Sequence, residues 1–536
     1  MRGVKEILAH HAGARLALHR TGRYPSPEEL ARLVDSGGFP ELRLFACRGN
    51  RDVAAAVLAD KAGLARDLGQ LCQSLRRKGE KKSLGQVFTP APAVESALNL
   101  VQGSPQRIVD PACGAGDFLL HAARRWPGAL LTGVEIDALA CAVAGVRLRL
   151  AGVEAELRHD NALSGAWAAD FDLVVGNPPW GRTPATAEAP RSTAFPAPAN
   201  AFVYFLELAA RLLRPGGQMV YILPEALCKV WAYRQVRQWL LAHFAITALH
   251  YIPNLFKDYY APALILAARR RPAPAPAAIP VWYQAGLRRA KTRYNTLPPA
   301  ALTPERFNLN WAEEMERIWA QCSRGAVFLR EGNWGAQTPP GEAVVDFSLG
   351  IVTGDNRRFL ARERFTPRHL PLLRARDVQP FRIAPPGWWL EYDASSLQQA
   401  APLEKYRVPA KIVYRFVARE IIAAVDYSGS LTLNDLNILL PLRLPFSLEY
   451  LAALFNSRLL NTLYMYRFST GKVLTRHLKQ LPLQVGSREM QREIEACFRA
   501  RGRGLDQAVY RLYGLGSIDV AIIEDQYRRL KGIFYV

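Results

Sequence analysis

The tetrapeptide Asn177-Pro178-Pro179-Trp180 directly follows the apolar run 171–176. Its residue types suit a planar amine as ligand. Prolines lack N–H donors, so the side-chain oxygen of Asn177 and the neighbouring carbonyl groups remain as acceptors for an NH2 group, and the Trp180 ring offers a face for stacking. Two acceptors would raise the electron density on a poorly nucleophilic nitrogen, and positioning would then favour direct transfer of an electrophilic group to it.

A glycine-rich turn with Gly114 and Gly116 lies between a candidate strand and a candidate helix, and Glu135 follows about 20 residues later. This order predicts a site for an adenosine-containing cofactor, with Glu135 accepting hydrogen bonds from the ribose hydroxyls. The turn lacks the third glycine of the dinucleotide pattern, and Asp110 and Asp117 would repel a pyrophosphate. Carboxylates instead suit a cofactor with a cationic end, such as S-adenosyl-L-methionine.

Short apolar runs and helical stretches alternate around these motifs, which predicts an α/β domain with a mainly parallel sheet. Because only a short connection joins the last two runs, we expect them to form an antiparallel pair at one edge. The candidate strands are 107–110, 130–135, 155–159, 171–176, 218–223, 246–252 and 262–268.

In this order the motifs resemble those of the gamma-class N6-adenine DNA methyltransferases of type I and type II restriction–modification systems. The resemblance covers about 83–268 and starts at Gly85-Gln86-Val87-Phe88-Thr89-Pro90. It implies a Rossmann-like, S-adenosyl-L-methionine-dependent catalytic domain in which Asn177-Pro178-Pro179-Trp180 is the catalytic motif. The cofactor-binding residues that it implies are Thr89, Asp110, Ala112, Gly114, Gly116, Asp117, Phe118, Glu135, Ile136, Asp160 and Asn161. It also implies that Phe256 stacks on a flipped base, a role for which Tyr259 and Tyr260 compete.

The C-terminal half is the more basic part of the chain. The formal net charge of +22 divides into +5 for residues 1–80, +4 for 81–270 and +13 for 271–536, which favours a polyanionic partner for the last segment. Stretches such as 350–359 and 411–415 resemble the target-recognition domain of the same family, which reads double-stranded DNA. Arg357 and Arg358 are candidates there for contact with phosphate.

These patterns predict four segments: a helical N-terminal segment (1–80), the catalytic domain (81–270), a linker or connector (271–345) and an α+β target-recognition domain (346–536). The small helical segment could pack on DNA or on another subunit of a restriction or defence system. The Pro/Ala-rich run 269–280 is typical of a linker.

The seven scattered cysteines form no CxxC pair, and the nine histidines form no HxH or HxxxH pair. We therefore expect neither a disulfide framework nor a metal site, and a cytoplasmic location. The sequence also lacks an apolar stretch long enough for a membrane span.

Three alternatives to an adenine-specific DNA enzyme remain. The same motif occurs in enzymes that methylate adenine in RNA or a glutamine amide in protein, although these usually lack a basic domain of about 250 residues. Cytosine-N4 enzymes use the same chemistry but commonly have serine at the position of Asn177. A non-catalytic DNA-binding subunit of an anti-phage complex could retain the fold, but the intact Asn177, Glu135 and glycines disfavour such decay.

Overall fold

A computed structural model describes residues 89–165, 167–181, 200–255, 261–287, 289–329, 344–468 and 470–534. The predicted helical segment 1–80, the first part of the motif at 85–90, and Phe256 with its two competing tyrosines lie outside these residues. The chain divides into two compact units, residues 1–309 and 310–536.

The first unit is built on a nine-stranded sheet. Its strands are β1 (Arg107–Asp110), β2 (Leu130–Glu135), β3 (Glu156–His159), β4 (Phe171–Gly176), β5 (Leu213–Pro224), β6 (Phe244–Ile252), β7 (Ala263–Arg270), β8 (Ile279–Tyr283) and β9 (Thr292–Leu297). The strand order is β3-β2-β1-β4-β5-β7-β6-β8-β9. Every predicted strand is present, within five residues at each end.

The first five strands run parallel, and β7 lies antiparallel between β5 and β6. This confirms the mainly parallel α/β sheet and the antiparallel pair. The pair is not at an edge, however, because β8 adds parallel to β6 and β9 adds antiparallel to β8.

Helices connect the parallel strands. They are α1 (Ala91–Leu98), α2 (Asp117–Arg125), α3 (Ala138–Leu150), α4 (Ala201–Leu212), α5 (Ala226–Lys229) and α6 (Arg234–His243). Apolar residues of α1 and α2, including Ala93, Ala97 and Leu119, pack with Ile108 and Val175 of the sheet in one buried cluster. Burial of these faces fixes the helices against the strands whose ends carry the motifs.

Segment 271–345, which the composition predicts as a linker or connector, contributes two strands to the first unit and a helix, α7 (Glu313–Ser323), to the second. The linker-like run 269–280 therefore ends inside strand β8. Strand β8 pairs with β6, and this pairing cannot be seen in the local sequence.

The second unit contains two four-stranded sheets and a two-stranded one, ordered β10-β19-β16-β17, β11-β15-β12-β18 and β13-β14. Their strands are β10 (Val345–Leu349), β11 (Leu360–Ala361), β12 (His369–Leu373), β13 (Val378–Gln379), β14 (Arg382–Ile383), β15 (Trp388–Glu391), β16 (Lys411–Arg415), β17 (Ala423–Asp426), β18 (Leu431–Thr432) and β19 (Leu436–Pro441). Its further helices are α8 (Asn356–Phe359), α9 (Leu403–Tyr406), α10 (Leu448–Asn456), α11 (Arg458–Phe468), α12 (Thr475–Leu478), α13 (Arg488–Arg499), α14 (Leu505–Leu512) and α15 (Ser517–Phe534). This mixture of helices and strands is the α+β class that the sequence predicts.

A buried ion pair joins strands β16 and β17. The Lys411 ammonium donates to Asp426 Oδ2 at 2.5 Å and to the Tyr406 carbonyl at 2.7 Å, and both charged side chains are buried. Backbone N–H groups of Ser428 and Ser430 also donate to Asp426. Because each partner compensates the other, removal of one would leave an unpaired buried charge.

None of the helices in the described part of the chain is long and apolar enough to cross a membrane.

Candidate functional site

The predicted motifs of the first unit meet at one edge of its sheet. Asp110, Glu135 and Gly176 are the last residues of β1, β2 and β4, and these strands are neighbours in the parallel part of the sheet. Ligands of open α/β sheets bind at the carboxyl ends of such strands. The topology therefore brings the glycine turn, the acidic residue and the Asn-Pro-Pro-Trp motif into one site.

The glycine turn needs its glycines for backbone conformation. Gly114 and Gly116 have φ angles of +55° and +83°, in the left-handed region that other residues rarely adopt. A Cβ at Gly116 would also lie 3.3 Å from Ala144 Cβ on α3, whereas a Cβ at Gly114 would meet nothing within 4 Å. Gly114 thus leaves open space above the backbone, as a turn that holds a ligand requires.

Glu135 stabilises this turn directly. Its Oε2 accepts a hydrogen bond from the Gly114 N–H at 2.9 Å, and its Oε1 accepts one from the Asp137 N–H at 2.9 Å. The side chain is buried. Each carboxylate oxygen has a second lone pair, so the same group can accept further hydrogen bonds from ribose hydroxyls.

Asp110 lies buried at the end of β1, and its Oδ1 accepts a hydrogen bond from the Ala112 N–H at 3.1 Å. Burial raises the pKa of this carboxyl to about 8, against the lowering effect of the Ala112 N–H; the negative charges of Glu135 and Asp117 raise the pKa further. No positively charged group is among the interactions that shift this pKa in the described residues. A cationic ligand placed beside Asp110 would favour the ionised form.

The stability of the unliganded protein should fall as pH rises from about 4 to about 8 through the contribution of Asp110. The unfolded chain ionises this group near its ordinary pKa of 3.8, whereas the folded chain ionises it only near 8, so the folded state binds more protons in this range. We expect Asp110→Asn to remove that part of the decline. Thermal unfolding of both proteins across this pH range measures the difference.

Asp172 supplies an internal control for this prediction. Burial opposes ionisation of Asp172, but hydrogen bonds from Arg214 and from the N–H groups of Gln106 and Arg107 hold its pKa below the ordinary value. The stabilising contribution of the Asp172 carboxylate is therefore present above about pH 4 and is lost as pH falls. Asp172→Asn should change the shape of the stability–pH profile on the acid side only. A profile of Asp110→Asn parallel to that of the wild type would contradict the buried, neutral carboxyl.

Asp117 is engaged by a residue that the sequence analysis does not identify. The Arg147 guanidinium on α3 donates to Asp117 Oδ1 at 2.8 Å and also to the Ala115 carbonyl within the turn. Arg147 is buried, and its positive charge is tolerated there because the Asp117 carboxylate and the Ala115 carbonyl accept its N–H groups. The charge of Asp117 is thus balanced within the protein.

The other predicted cofactor residues differ in exposure. Ile136 is 55% exposed beside Glu135, which leaves its apolar side chain accessible to an adenine ring. Asp160 is exposed at the end of β3, and Asn161 accepts the Leu163 N–H through its side chain. Phe118 is buried in the core below the turn, whereas Ala112 is half-buried within it.

The Asn177 side chain has its two ends in different environments. Its Nδ2 donates to Thr89 Oγ1 at 3.0 Å, whereas its Oδ1 is buried and has no hydrogen-bond partner among the residues described. A buried unpaired acceptor costs about 1–3 kcal/mol, and functional sites are where such groups persist. A donor on a ligand would remove this cost.

Gly176 brings the Asn-Pro-Pro-Trp motif close to the acidic turn. A Cβ on Gly176 would lie 2.7 Å from Asp110 Oδ1, closer than any real contact. Tyr221 of β5 lies in register with Gly176, and its buried hydroxyl has no hydrogen-bond partner in the described residues. Burial and the charge of Asp110 raise the pKa of Tyr221 well above its ordinary value. The hydroxyl is therefore neutral and adds no charge to the site.

In the second unit, Arg357 and Arg358 lie exposed on the short helix α8, which Asp355 caps. The Arg358 guanidinium lies 5.0 Å from the Phe359 ring centre. The structure does not bring these two residues into a defined pocket. Their predicted contact with phosphate stays a prediction.

A denser basic group surrounds Trp388 on the sheet β11-β15-β12-β18. The guanidinium groups of Arg362, Arg374 and Arg376 lie 3.8, 5.4 and 5.9 Å from the centre of the Trp388 ring. Trp388 Nε1 and Arg374 Nε are buried without hydrogen-bond partners in the part of the chain described. We call these four residues the Trp388 cluster. The sequence analysis does not single out Arg374 or Arg376, because residues from separate strands and turns form the cluster.

Two family models match the chain. Residues 73–285 match the model described as N-6 DNA methylase, and residues 370–483 match the TaqI-like C-terminal specificity domain. The first contains the glycine turn and the Asn-Pro-Pro-Trp motif, and the second contains most of the Trp388 cluster.

Individual proteins also match the chain. The chain is 32% identical over 138 residues to the type II methyltransferase M.XamI of Xanthomonas campestris pv. amaranthicola, which is 25% of this chain and 26% of that protein. It is 24% identical over 380 residues to M.TthHB8I of Thermus thermophilus, 66% of this chain and 79% of that one. The match thus spans about a quarter of the first relative and about four fifths of the second.

Among solved structures, the type IIL restriction–modification enzyme MmeI in complex with DNA superimposes with a TM-score of 0.60 at 12% identity. The superposition covers 87% of this chain and 81% of that one. At this identity the likeness concerns the fold alone.

Proposed function

We propose that this chain, whose residues 73–285 match the model described as N-6 DNA methylase, transfers a methyl group to the N6 amine of adenine in duplex DNA. The observation that supports this most directly is the unpaired acceptor of Asn177 at the carboxyl end of β4, beside an acidic glycine turn. An amine that needs hydrogen-bond acceptors and a cofactor that needs negative charge would find both at one edge of the sheet.

The residues at the glycine turn fit S-adenosyl-L-methionine, the cofactor of this fold and family. The buried carboxyl of Asp110 has no cationic partner among the interactions that shift its pKa, and Gly114 leaves open space above the turn. Glu135 would accept the ribose hydroxyls, and exposed Ile136 would contact the adenine ring. When bound, this cofactor supplies an electrophilic methyl group on a sulfonium.

The Asn-Pro-Pro-Trp motif would hold the target amine. Asn177 Oδ1 accepts one N–H of the amine, and the donor-free backbone around Pro178 leaves a carbonyl to accept the other. Both hydrogen bonds raise the electron density on nitrogen and orient it for in-line attack. An adenine stacked in a duplex could not reach these groups, so the base would rotate out of the helix and stack on Trp180.

The second unit would bind the duplex and read its sequence. Its charge of +13 over 271–536 and its match to a specificity domain support this role. The Trp388 cluster concentrates three guanidinium groups on one surface. Guanidinium groups bind phosphate oxygens and guanine edges, so we propose this cluster as a DNA contact alongside Arg357 and Arg358.

The enzyme would act on DNA inside the cell, in a restriction–modification or anti-phage defence system. Other subunits of such a system are proposed partners.

Sequencing that detects modified bases tests the proposed substrate. The chain is expressed in a host that lacks adenine methylation, and its DNA is read for N6-methyladenine within a recurring sequence. Expression of Asn177→Ala serves as the matched control. Methyl groups on cytosine, on RNA or on protein, with none on DNA adenine, would contradict the proposal.

Arg362→Gln with Arg376→Gln should weaken DNA binding and reduce its salt dependence. Removal of two phosphate contacts should lower the slope of log affinity against log salt by about 2, since each contact contributes roughly 0.9. Fluorescence anisotropy with a labelled duplex at several salt concentrations measures this slope. The control double variant Arg492→Gln with Arg528→Gln removes the same charge from exposed positions of α13 and α15. An equal change in both double variants would show a general charge effect and not a contact.

A further inference from the structure

We propose that Thr89 is a positioning residue that holds the Asn177 side chain in place in the site, an inference that rests on the proposed amine substrate. Thr89 Oγ1 accepts a hydrogen bond from Asn177 Nδ2 at 3.0 Å. Thr89 is 6% exposed and belongs to a motif remote in sequence from Asn177. The resemblance assigns Thr89 to the cofactor, whereas the structure places its hydroxyl on the catalytic amide.

The orientation of this amide decides whether the site can work. An asparagine side chain presents an acceptor at one end and two donors at the other. With Nδ2 held by Thr89, Oδ1 is left to accept from the target amine. If the amide rotated by half a turn, its NH2 group would face the NH2 group of the substrate, and two donors cannot form a hydrogen bond with each other. The Thr89 hydroxyl can donate as well as accept, so it holds the side chain in either orientation, and the substrate amine selects the one with Oδ1 toward it.

The position of Thr89 is itself fixed by the core. Thr89 precedes Pro90, the N-cap residue of helix α1. The buried side chains Ala93, Val94 and Ala97 of α1 pack in the same cluster as Val175 of β4, the strand that leads into Asn177. Thr89 and Asn177 are therefore held by two elements of one core, so the hydrogen bond between them has little freedom to shift.

Other residues do not duplicate this role. The only hydrogen bond of the Asn177 side chain within the described part of the chain is the one to Thr89. Loss of the Thr89 oxygen would leave both ends of the amide without a partner, and the side chain would no longer be held where Oδ1 meets the amine. The effect should then fall on the chemical step and not on retention of the cofactor.

Single-turnover methylation of a duplex by the full-length protein separates the two roles of Thr89. Thr89→Val keeps the shape and removes the hydroxyl, and we expect it to lower the rate constant at saturating cofactor by about tenfold or more. Thr89→Ser restores the hydroxyl and should recover most of the rate. Thr132→Val replaces an equally buried threonine in β2 and should keep the wild-type rate. A loss in Thr89→Val that disappears at high cofactor concentration would assign Thr89 to the cofactor and overturn the positioning role.

A second measurement does not depend on activity. In a crystal structure of Thr89→Val we expect the Asn177 side chain to be displaced or to occupy two positions, whereas Thr89→Ser should match the wild type. An Asn177 side chain in a single, unchanged position in Thr89→Val would overturn the inference even if the enzyme methylates adenine. Conversely, a wild-type protein that modifies no DNA adenine contradicts the proposed function, and the position of the Asn177 side chain still decides the role of Thr89.

Discussion

Asn177→Ala should lower the rate of methyl transfer by at least about 100- to 1,000-fold, the usual loss when a preorganised group that stabilises the transition state is removed. The variant removes the acceptor Oδ1, which the described residues leave unpaired, and the N–H that Thr89 holds. Single-turnover transfer of a labelled methyl group to a duplex measures the rate. Binding of cofactor and DNA should change little, because neither the acidic turn nor the second unit is altered.

A matched control is available in the same unit. Asn295 also donates a side-chain hydrogen bond, to the Leu309 carbonyl at 3.1 Å. Asn295→Ala therefore makes the same chemical change outside the site and should retain activity. Full transfer by Asn177→Ala would refute the amine-acceptor mechanism, and equal losses in both variants would point to general destabilisation.

Glu135→Ala should weaken binding of S-adenosyl-L-methionine by about 10- to 150-fold, which corresponds to loss of roughly 1.5–3 kcal/mol for hydrogen bonds to a charged group. Two effects act together, because Glu135 would bind the ribose and also holds the Gly114 and Asp137 N–H groups. Isothermal titration calorimetry with S-adenosyl-L-methionine in the absence of DNA measures this affinity without turnover.

Glu135→Gln separates these effects, since a neutral amide keeps one acceptor oxygen but not two. We expect its affinity to lie between those of the wild type and Glu135→Ala. Glu156→Ala removes an exposed carboxylate from the adjacent strand β3, which pairs only with Arg158 in the described structure, and should bind normally. Unchanged affinity in a folded Glu135→Ala protein would remove the assignment of this turn as the cofactor site.

The strands that carry the site could be predicted from the sequence because their apolar runs are largely buried. Runs 107–110, 130–135 and 171–176 coincide with β1, β2 and β4. Their order along the chain, with intervening helices, required a parallel sheet, and a parallel sheet places their carboxyl ends together. The location of Asp110, Glu135 and Asn177 at one edge followed from these local patterns.

Strands β8 and β9 could not be predicted in the same way. Strand β8 follows a Pro/Ala-rich run and contains Pro280, and proline normally argues against an interior strand. It forms a strand because it pairs with β6, which is not adjacent in sequence. Local composition indicated a linker because the compensating contacts are tertiary.

The contacts of Arg147, Thr89 and Trp388 were also beyond sequence reasoning. Each joins residues from separate motifs or elements: Arg147 with Asp117, Thr89 with Asn177, and Trp388 with three arginines. The sequence does show two arginines, Arg147 and Arg149, within the apolar helix α3, which is a signal for a buried ion pair. It does not show the partner.

The close approach of Gly176 to Asp110 limits how the protein can evolve or be redesigned. The space that a side chain at position 176 would need is already filled by the Asp110 carboxylate, whose Oδ1 lies 2.7 Å from the point where a Cβ would stand. Substitutions at these two positions should therefore be epistatic: a residue tolerated at one depends on the size of the residue at the other. Libraries that aim to change the cofactor or the acceptor base should vary positions 110 and 176 together, because scanning them singly would discard compatible pairs.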